Sequence, residues 1–432
     1  MSQQGTPDRG PTAHHPNGWA QALATVAATL AALIVTAALG VWAAGAAALP
    51  GSAFPRVVAA VVVMAVGGSV DVSGDAGGIA AARAELTALP LSVTLAGALV
   101  LAAGFLRPLR HRAVVGTREL VARAARIALL WTLALLALAL FARQSFAVRP
   151  GGTVSDIGEL LGVDAPRAGF RADVPLTVVL GLLWLAALLL ITLAVSRAAP
   201  LPGALLRYQE PVRPAAHAMV VLLLVCVGVG AAVGIVVAAT RGKPAETLAV
   251  MLLGLPNLTW LALTLGMGAT WDGKVEGPFG LPVPRLLEQV LRAPDGGVVN
   301  LGTLAEYDGR VRWLPVAAAV LLLGAAYLMA VRSPARTRLW QHAVRMAAAL
   351  VLTVLMICLA VRFEARYGLS LFGIGDLGGG LSAEAALSPR LWSALGLAAL
   401  WGLATGCLGG LLARSARRRG GTPPLRDRGP GE

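Results

Sequence analysis

The sequence predicts an all-α fold: a polytopic integral membrane helix bundle of about ten membrane-embedded segments, eight clean spans and two broken ones, in two pseudo-symmetric halves. Three observations carry this. Runs of about sixteen to thirty residues free of Asp, Glu, Lys and Arg recur along the chain, and a bilayer core demands roughly 20 apolar residues per helical span. With 57% hydrophobic and 13% charged residues and a mean hydropathy of +0.74, the composition lies outside the soluble range. Finally, residues 107–126, 197–213, 332–345 and 414–432 together hold more positive charge than the whole chain's net +14. Basic clusters in short connections mark a cytoplasmic side, so the charge signals topology and not nucleic-acid binding. Anionic lipid headgroups are its expected partner.

The elements follow in order. Residues 1–18, rich in Pro, Gly, His and Gln, read as a disordered cytoplasmic tail. The first apolar run, 20–49, contains Ala46-Ala47-Ala48, which resembles a cleavage site, but it is about twice the length of the 7–15-residue core of a cleaved signal. It is expected to be a retained first helix. The other clean spans are 87–106, 127–142, 174–195, 215–240, 313–331, 346–361 and 391–413. Two apolar segments are flawed: 57–70 runs into Gly67-Gly68-Ser69, and 248–271 is interrupted by Leu255-Pro256-Asn257. Residues 416–432 read as a basic disordered tail. The two membrane halves are 19–200 and 201–415.

Parity decides how the flawed segments run. Ten full crossings from a cytoplasmic N-terminus would place the basic segment 107–126 outside, against the positive-inside rule. If each flawed segment enters and leaves on the outer side, all four basic segments fall inside. A glycine pair permits one turn and proline breaks the helical ladder at the other. Such breaks must be covered by protein or face a water cavity.

Read this way, the halves repeat. Each has a span, a broken segment, an acidic Gly-rich outer stretch, a span opening with Leu-Pro, a basic loop and two more spans. Leu89-Pro90 precedes Arg107 by the interval at which Leu314-Pro315 precedes Arg332, and Pro108 and Pro334 follow. Ile157-Gly158-Glu159-Leu160 returns as Ile374-Gly375-Asp376-Leu377. Four crossings per half imply a pseudo-twofold along the membrane normal. Residues 284–292 of the longer second half read as a short amphipathic helix on the outer interface.

Leu255-Pro256-Asn257-Leu258-Thr259-Trp260 with Leu265-Gly266-Met267-Gly268, balanced by Gly67-Gly68-Ser69-Val70-Asp71-Val72-Ser73-Gly74 in the first half, resembles the streptophobe family, hydrophobic multi-pass membrane proteins of Streptomyces and relatives. The second outer stretch, Trp271 to Gly277, departs from the Val-Ser-Gly pattern of the first. The resemblance implies a helical membrane protein and brings no biochemical activity with it. A repertoire of arginine with only Lys243 and Lys274 as lysines fits a high-GC actinobacterium, and the expected location is the plasma membrane of such a Gram-positive cell, with both termini cytoplasmic.

No clean span carries an Asp, Glu, Lys or Arg, which weighs against a proton-coupled carrier. His217 reads as interfacial, and Cys226, Cys358 and Cys407 as packing residues without metal or disulfide spacing. Phosphate-loop, zinc-protease and Ser-His-Asp signatures are absent, so no enzyme and no cofactor is expected. Gly402, Gly406, Gly409 and Gly410 have helix-packing spacing.

Candidate binding residues gather at the two breaks. Asn257 and Thr259 would expose polar groups to a cavity, Ser69 lies at the glycine turn, and Asp71, Asp75, Asp272 and Glu276 would form an acidic outer vestibule. The structural alternative is that Asn257 satisfies backbone freed by Pro256 and that the acids are solvated. Two functions remain: a permease-like protein with a cavity between the broken segments, or a non-transporting scaffold that binds a membrane partner, a second copy included.

Overall fold

The computed structural model describes residues 17–48, 53–76, 80–108, 117–147, 167–196, 206–240, 242–276, 297–334, 336–371 and 383–419. Most of the two tails, the segment 284–292 and both Ile-Gly-acid-Leu copies lie outside these residues. The helices are α1 (Asn17–Ala43), α2 (Ala53–Ala65), α3 (Leu91–Leu106), α4 (Thr117–Phe141), α5 (Val174–Val195), α6 (Leu206–Thr240), α7 (Pro244–Gly266), α8 (Leu301–Tyr307), α9 (Leu314–Arg332), α10 (Leu339–Val361) and α11 (Leu391–Arg419). The polytopic helix bundle is thus the architecture, and eight helices of the described residues are long and apolar enough to cross a membrane.

That set of eight differs from the sequence-based one. α3 has 16 residues and falls short of the length criterion, while α7 meets it. Pro256 does not interrupt α7, which runs unbroken from Pro244 to Gly266. Helix starts also precede the charge-free runs: α4 begins ten residues before Ile127, and α6 and α10 begin nine and seven residues early. A charge-free run marks the hydrocarbon layer, and the helices continue into the interface, where arginine stems lie along apolar surface with their heads in water. Similarly, α11 extends to Arg419, into the residues read as tail.

The outer stretches form a sheet that helical periodicity gave no reason to expect. Its strands are β1 (Val70–Ala76), β2 (Ala80–Thr87), β3 (Arg143–Ala147), β4 (Arg167–Ala172), β5 (Trp271–Glu276), β6 (Gly297–Val299), β7 (Phe363–Leu371) and β8 (Ala383–Pro389). They lie in the order β3-β4-β1-β2-β7-β8-β5-β6, antiparallel throughout, with β3 and β6 at the edges among the described residues. The order within the first four recurs in the last four. Val70, Trp271, Val299, Ala385 and Leu387 are buried, whereas their neighbours Asp71, Lys274, Glu364, Arg366 and Ser388 are exposed, the alternation of a sheet with one covered face.

Each strand joins the bundle at one end of the molecule. α4 and α10 run directly into β3 and β7, and β2, β4 and β8 lead into α3, α5 and α11. The opposite ends of α3, α4, α5, α9, α10 and α11 all adjoin the arginine-rich segments. The two sides of the bundle therefore differ, with the sheet at one end and the short arginine-rich segments at the other. At the arginine end, Arg126 lies over Trp19 of α1, and Arg123 lies over Phe105 and donates to the Gly104 carbonyl in the last turn of α3 at 3.0 Å, where a cation also complements the helix dipole.

Two main cores fill the bundle. One, around Trp131, is built by α1 to α5; Trp131 stacks on Trp184 at 5.5 Å and donates to the Gly181 carbonyl. The other, around Trp260 and Trp271, joins α6, α7, α9, α10 and α11. α11 meets α10 backbone to backbone, because a Cβ at Gly402 would lie 2.4 Å from Cα of Ala347 and one at Gly406 2.7 Å from Cα of Ala343.

Candidate functional site

The glycine turn after α2 and the turn after α7 have the same construction. Gly67 and Gly268 adopt φ of 98° and 91°, a region that costs an L residue a clash of Cβ with the following carbonyl. At the first turn, the Gly67 and Gly68 amides donate to the carbonyls of Met64 and Val63. At the second, the Gly268 and Ala269 amides donate to those of Leu265 and Thr264. Both are Schellman closures that satisfy the last carbonyls of a helix. Each then leads into a strand, and the residue after the turn accepts a backbone bond from the chain entering the half's last helix: Asp173 to Ser69, and Arg390 to Thr270.

α2 has both ends beside sheet-side segments. At the start of α2, Arg56 lies over Phe141, the sheet-side end of α4. Past its other end, Gly67 and Gly68 rest on Leu180 and Thr177, within the first two turns of α5. α7 leaves the sheet side beside the N-terminus of α3. Just past its C-terminus, the Met267 carbonyl accepts from the Trp401 indole at 3.1 Å. Trp401 is ten residues into α11, about 15 Å of helix, and the chain then climbs back to β5.

The N-terminus of α3 clamps both helices. Thr94 donates to the Ala65 carbonyl at the end of α2 at 2.6 Å. Ser92 stands in the ladder of α7: its hydroxyl accepts from the Leu255 amide at 3.1 Å and donates to the Met251 carbonyl at 2.7 Å, the two groups that would bond each other in a regular helix. Asn257 completes the clamp, its amide donating to the Leu89 carbonyl at 2.9 Å and accepting from the Leu91 amide at 3.2 Å. It serves the free end of α3, not the backbone at Pro256. Ser92 was missed in the sequence; its position beside Leu89-Pro90-Leu91 was the available signal.

Between α2, α7 and the covered face of the sheet lies a cavity of about 420 Å³. Val61 and Met64 of α2, Leu253, Gly254 and Leu258 of α7, and Phe363 and Leu387 of the sheet line it, and Asn257 contributes its one polar side chain. Such a volume falls in the range of small-molecule sites.

The remaining candidates lie elsewhere. Thr259 donates to the Pro256 carbonyl and packs its methyl toward Gly230 of α6. Ser69 is buried at the turn. Asp71 is exposed on β1, in register with Arg171, and Asp75 occupies a β1 position opposite Arg167. Asp272 is bound by Arg390, with Nε at 2.9 Å and Nη2 at 2.8 Å from its oxygens. That carboxylate raises the Arg390 pKa above its ordinary value, through its hydrogen bonds and its charge. Glu276 ends β5 opposite Glu384. Because β2, β7 and β8 separate β1 from β5, at about 4.8 Å per strand, the four acids do not form one vestibule.

Comparison with family models, curated proteins and solved structures finds no match to this chain. The reading of the site therefore rests on its own geometry: an apolar chamber beneath a sheet, lined by α2 and α7 and held by the start of α3.

Proposed function

We propose that this is a permease-like multi-pass protein of an actinobacterial plasma membrane, related to the streptophobe family, in which α2 and α7 re-enter from the outer face and the cavity between them receives a solute. The single observation that carries the reading is convergence: both returning helices and the covered face of the sheet meet at one chamber. The shared glycine turns and the recurring strand order support a duplicated origin. The arginine-rich ends fit the cytoplasmic side, where anionic headgroups would hold them.

A second reading, the membrane scaffold, draws on β3 and β6, which end the sheet among the described residues, since sheet edges can recruit further strands. Thiol labelling separates the two. In a chain with Cys226, Cys358 and Cys407 replaced by alanine, Leu253→Cys should react with a small uncharged maleimide in native membranes. Complete protection of that thiol would mean a sealed bundle and favour the scaffold.

A further inference from the structure

We infer that the occupant of this cavity is the hydrocarbon chain of an outer-leaflet lipid and not a hydrated polar solute, an inference that rests on the cavity reading above. The lining gives the first argument. A space of about 420 Å³ would take on the order of 14 waters at ~30 Å³ each, and each needs two to four polar partners. Asn257 is the lining's one polar side chain, and both ends of its amide are already committed to α3 backbone. An ion or sugar would lose its hydration there without replacement.

Position gives the second argument. Ala44, at one edge of the cavity, is two residues beyond Trp42, which is 62% exposed; Trp313 and Trp392, at the same end of α9 and α11, are 72% and 90% exposed. Exposed tryptophans at helix ends mark the level where headgroups give way to acyl chains. The chamber thus opens at the level where headgroups meet acyl chains. One turn before Ala249 and Val250, Lys243 and Glu246 form an exposed ion pair at 2.6 Å, which places charge of both signs where a headgroup would rest. A chain moving from bilayer to cavity exchanges one apolar surround for another, so little affinity comes from burial itself. That suits a site of passage better than one of storage.

Gly254 supplies a clean test, because a Cβ there would have only Asn257 Oδ1 near it, at 3.9 Å; Gly254→Leu should fill the chamber while favouring the helix. Full-length protein in phospholipid nanodiscs is irradiated with a fatty acid carrying a mid-chain diazirine. Adducts are expected on residues 249–261 and at Phe363 and Leu387, and Gly254→Leu should abolish them without lowering the melting temperature. Adducts confined to outward residues such as Leu183, Val236 and Leu400, unchanged by Gly254→Leu, would overturn the lipid assignment. Labelling of Leu253→Cys in the same nanodiscs separates the failures. Reaction with a charged thiosulfonate and no chamber adduct would keep the cavity reading and sink the lipid; no reaction with any reagent and no adduct would sink both.

Discussion

Asn257 and Ser92 both sit between α3 and α7, yet their removal should cost differently. Asn257→Ala leaves the Leu91 amide and the Leu89 carbonyl without partners in an apolar setting, a loss of about 1–3 kcal/mol per buried group. Ser92→Ala leaves the Leu255 amide and the Met251 carbonyl free to bond each other within α7, so it should destabilise less. Thermal unfolding of the two variants in detergent tests this ordering, and a larger loss for Ser92→Ala would refute the clamp. Gly268, at φ 91°, makes a second residue-scale prediction: Gly268→Ala should lower stability by roughly 1–2 kcal/mol, and Gly67→Ala similarly. By contrast, Gly254→Ala in mid-helix should gain stability.

Among the elements, the α10–α11 contact is set by the absence of side chains. Gly402→Val should force the helices apart at Ala347, at about 1–3 kcal/mol for overpacking, read as a lower melting temperature, whereas Gly396→Val, with open space around its Cβ position, should have little effect on packing. The small-residue spacing of α11 was legible in the sequence for this reason: tight backbone approach leaves a compositional trace. The sheet left almost none. Its strands are three to nine residues long, several are rich in alanine, and the β2–β7 pairing joins residues nearly three hundred positions apart. The glycine turn after α2 was legible in the Gly67-Gly68 pair, whose positive φ at Gly67 closes the helix. Pro256 misled, because α7 continues through it unbroken to Gly266, and a helix among neighbouring helices can tolerate a proline. Among the candidate residues, Asn257 was found by its place beside the proline, but the acids were grouped by their position in the chain, and only the strand order reveals how far apart they lie.

Over the whole molecule, aromatic and charged residues define two planes. On α1, Trp19 and Trp42 are both exposed and stand 23 residues apart, about 35 Å along the helix, close to the ~30 Å hydrocarbon layer with its interfaces. Apolar side chains such as Leu190, Val236 and Leu352 are exposed on helix faces between those planes, where lipid would cover them. The sheet extends beyond the Trp42 plane and the arginine segments beyond the Trp19 plane. The account as a whole requires that these two ends face opposite compartments, with α2 and α7 returning to the sheet side.

The most direct test is labelling of single cysteines in intact cells with a membrane-impermeant maleimide. Lys274→Cys and Ser388→Cys, on the exposed face of the sheet, should react from outside, while Arg338→Cys and Ser415→Cys, at the arginine end, should react only after permeabilisation. Labelling of Arg338→Cys or Ser415→Cys in sealed cells, or protection of both sheet positions, would contradict the arrangement.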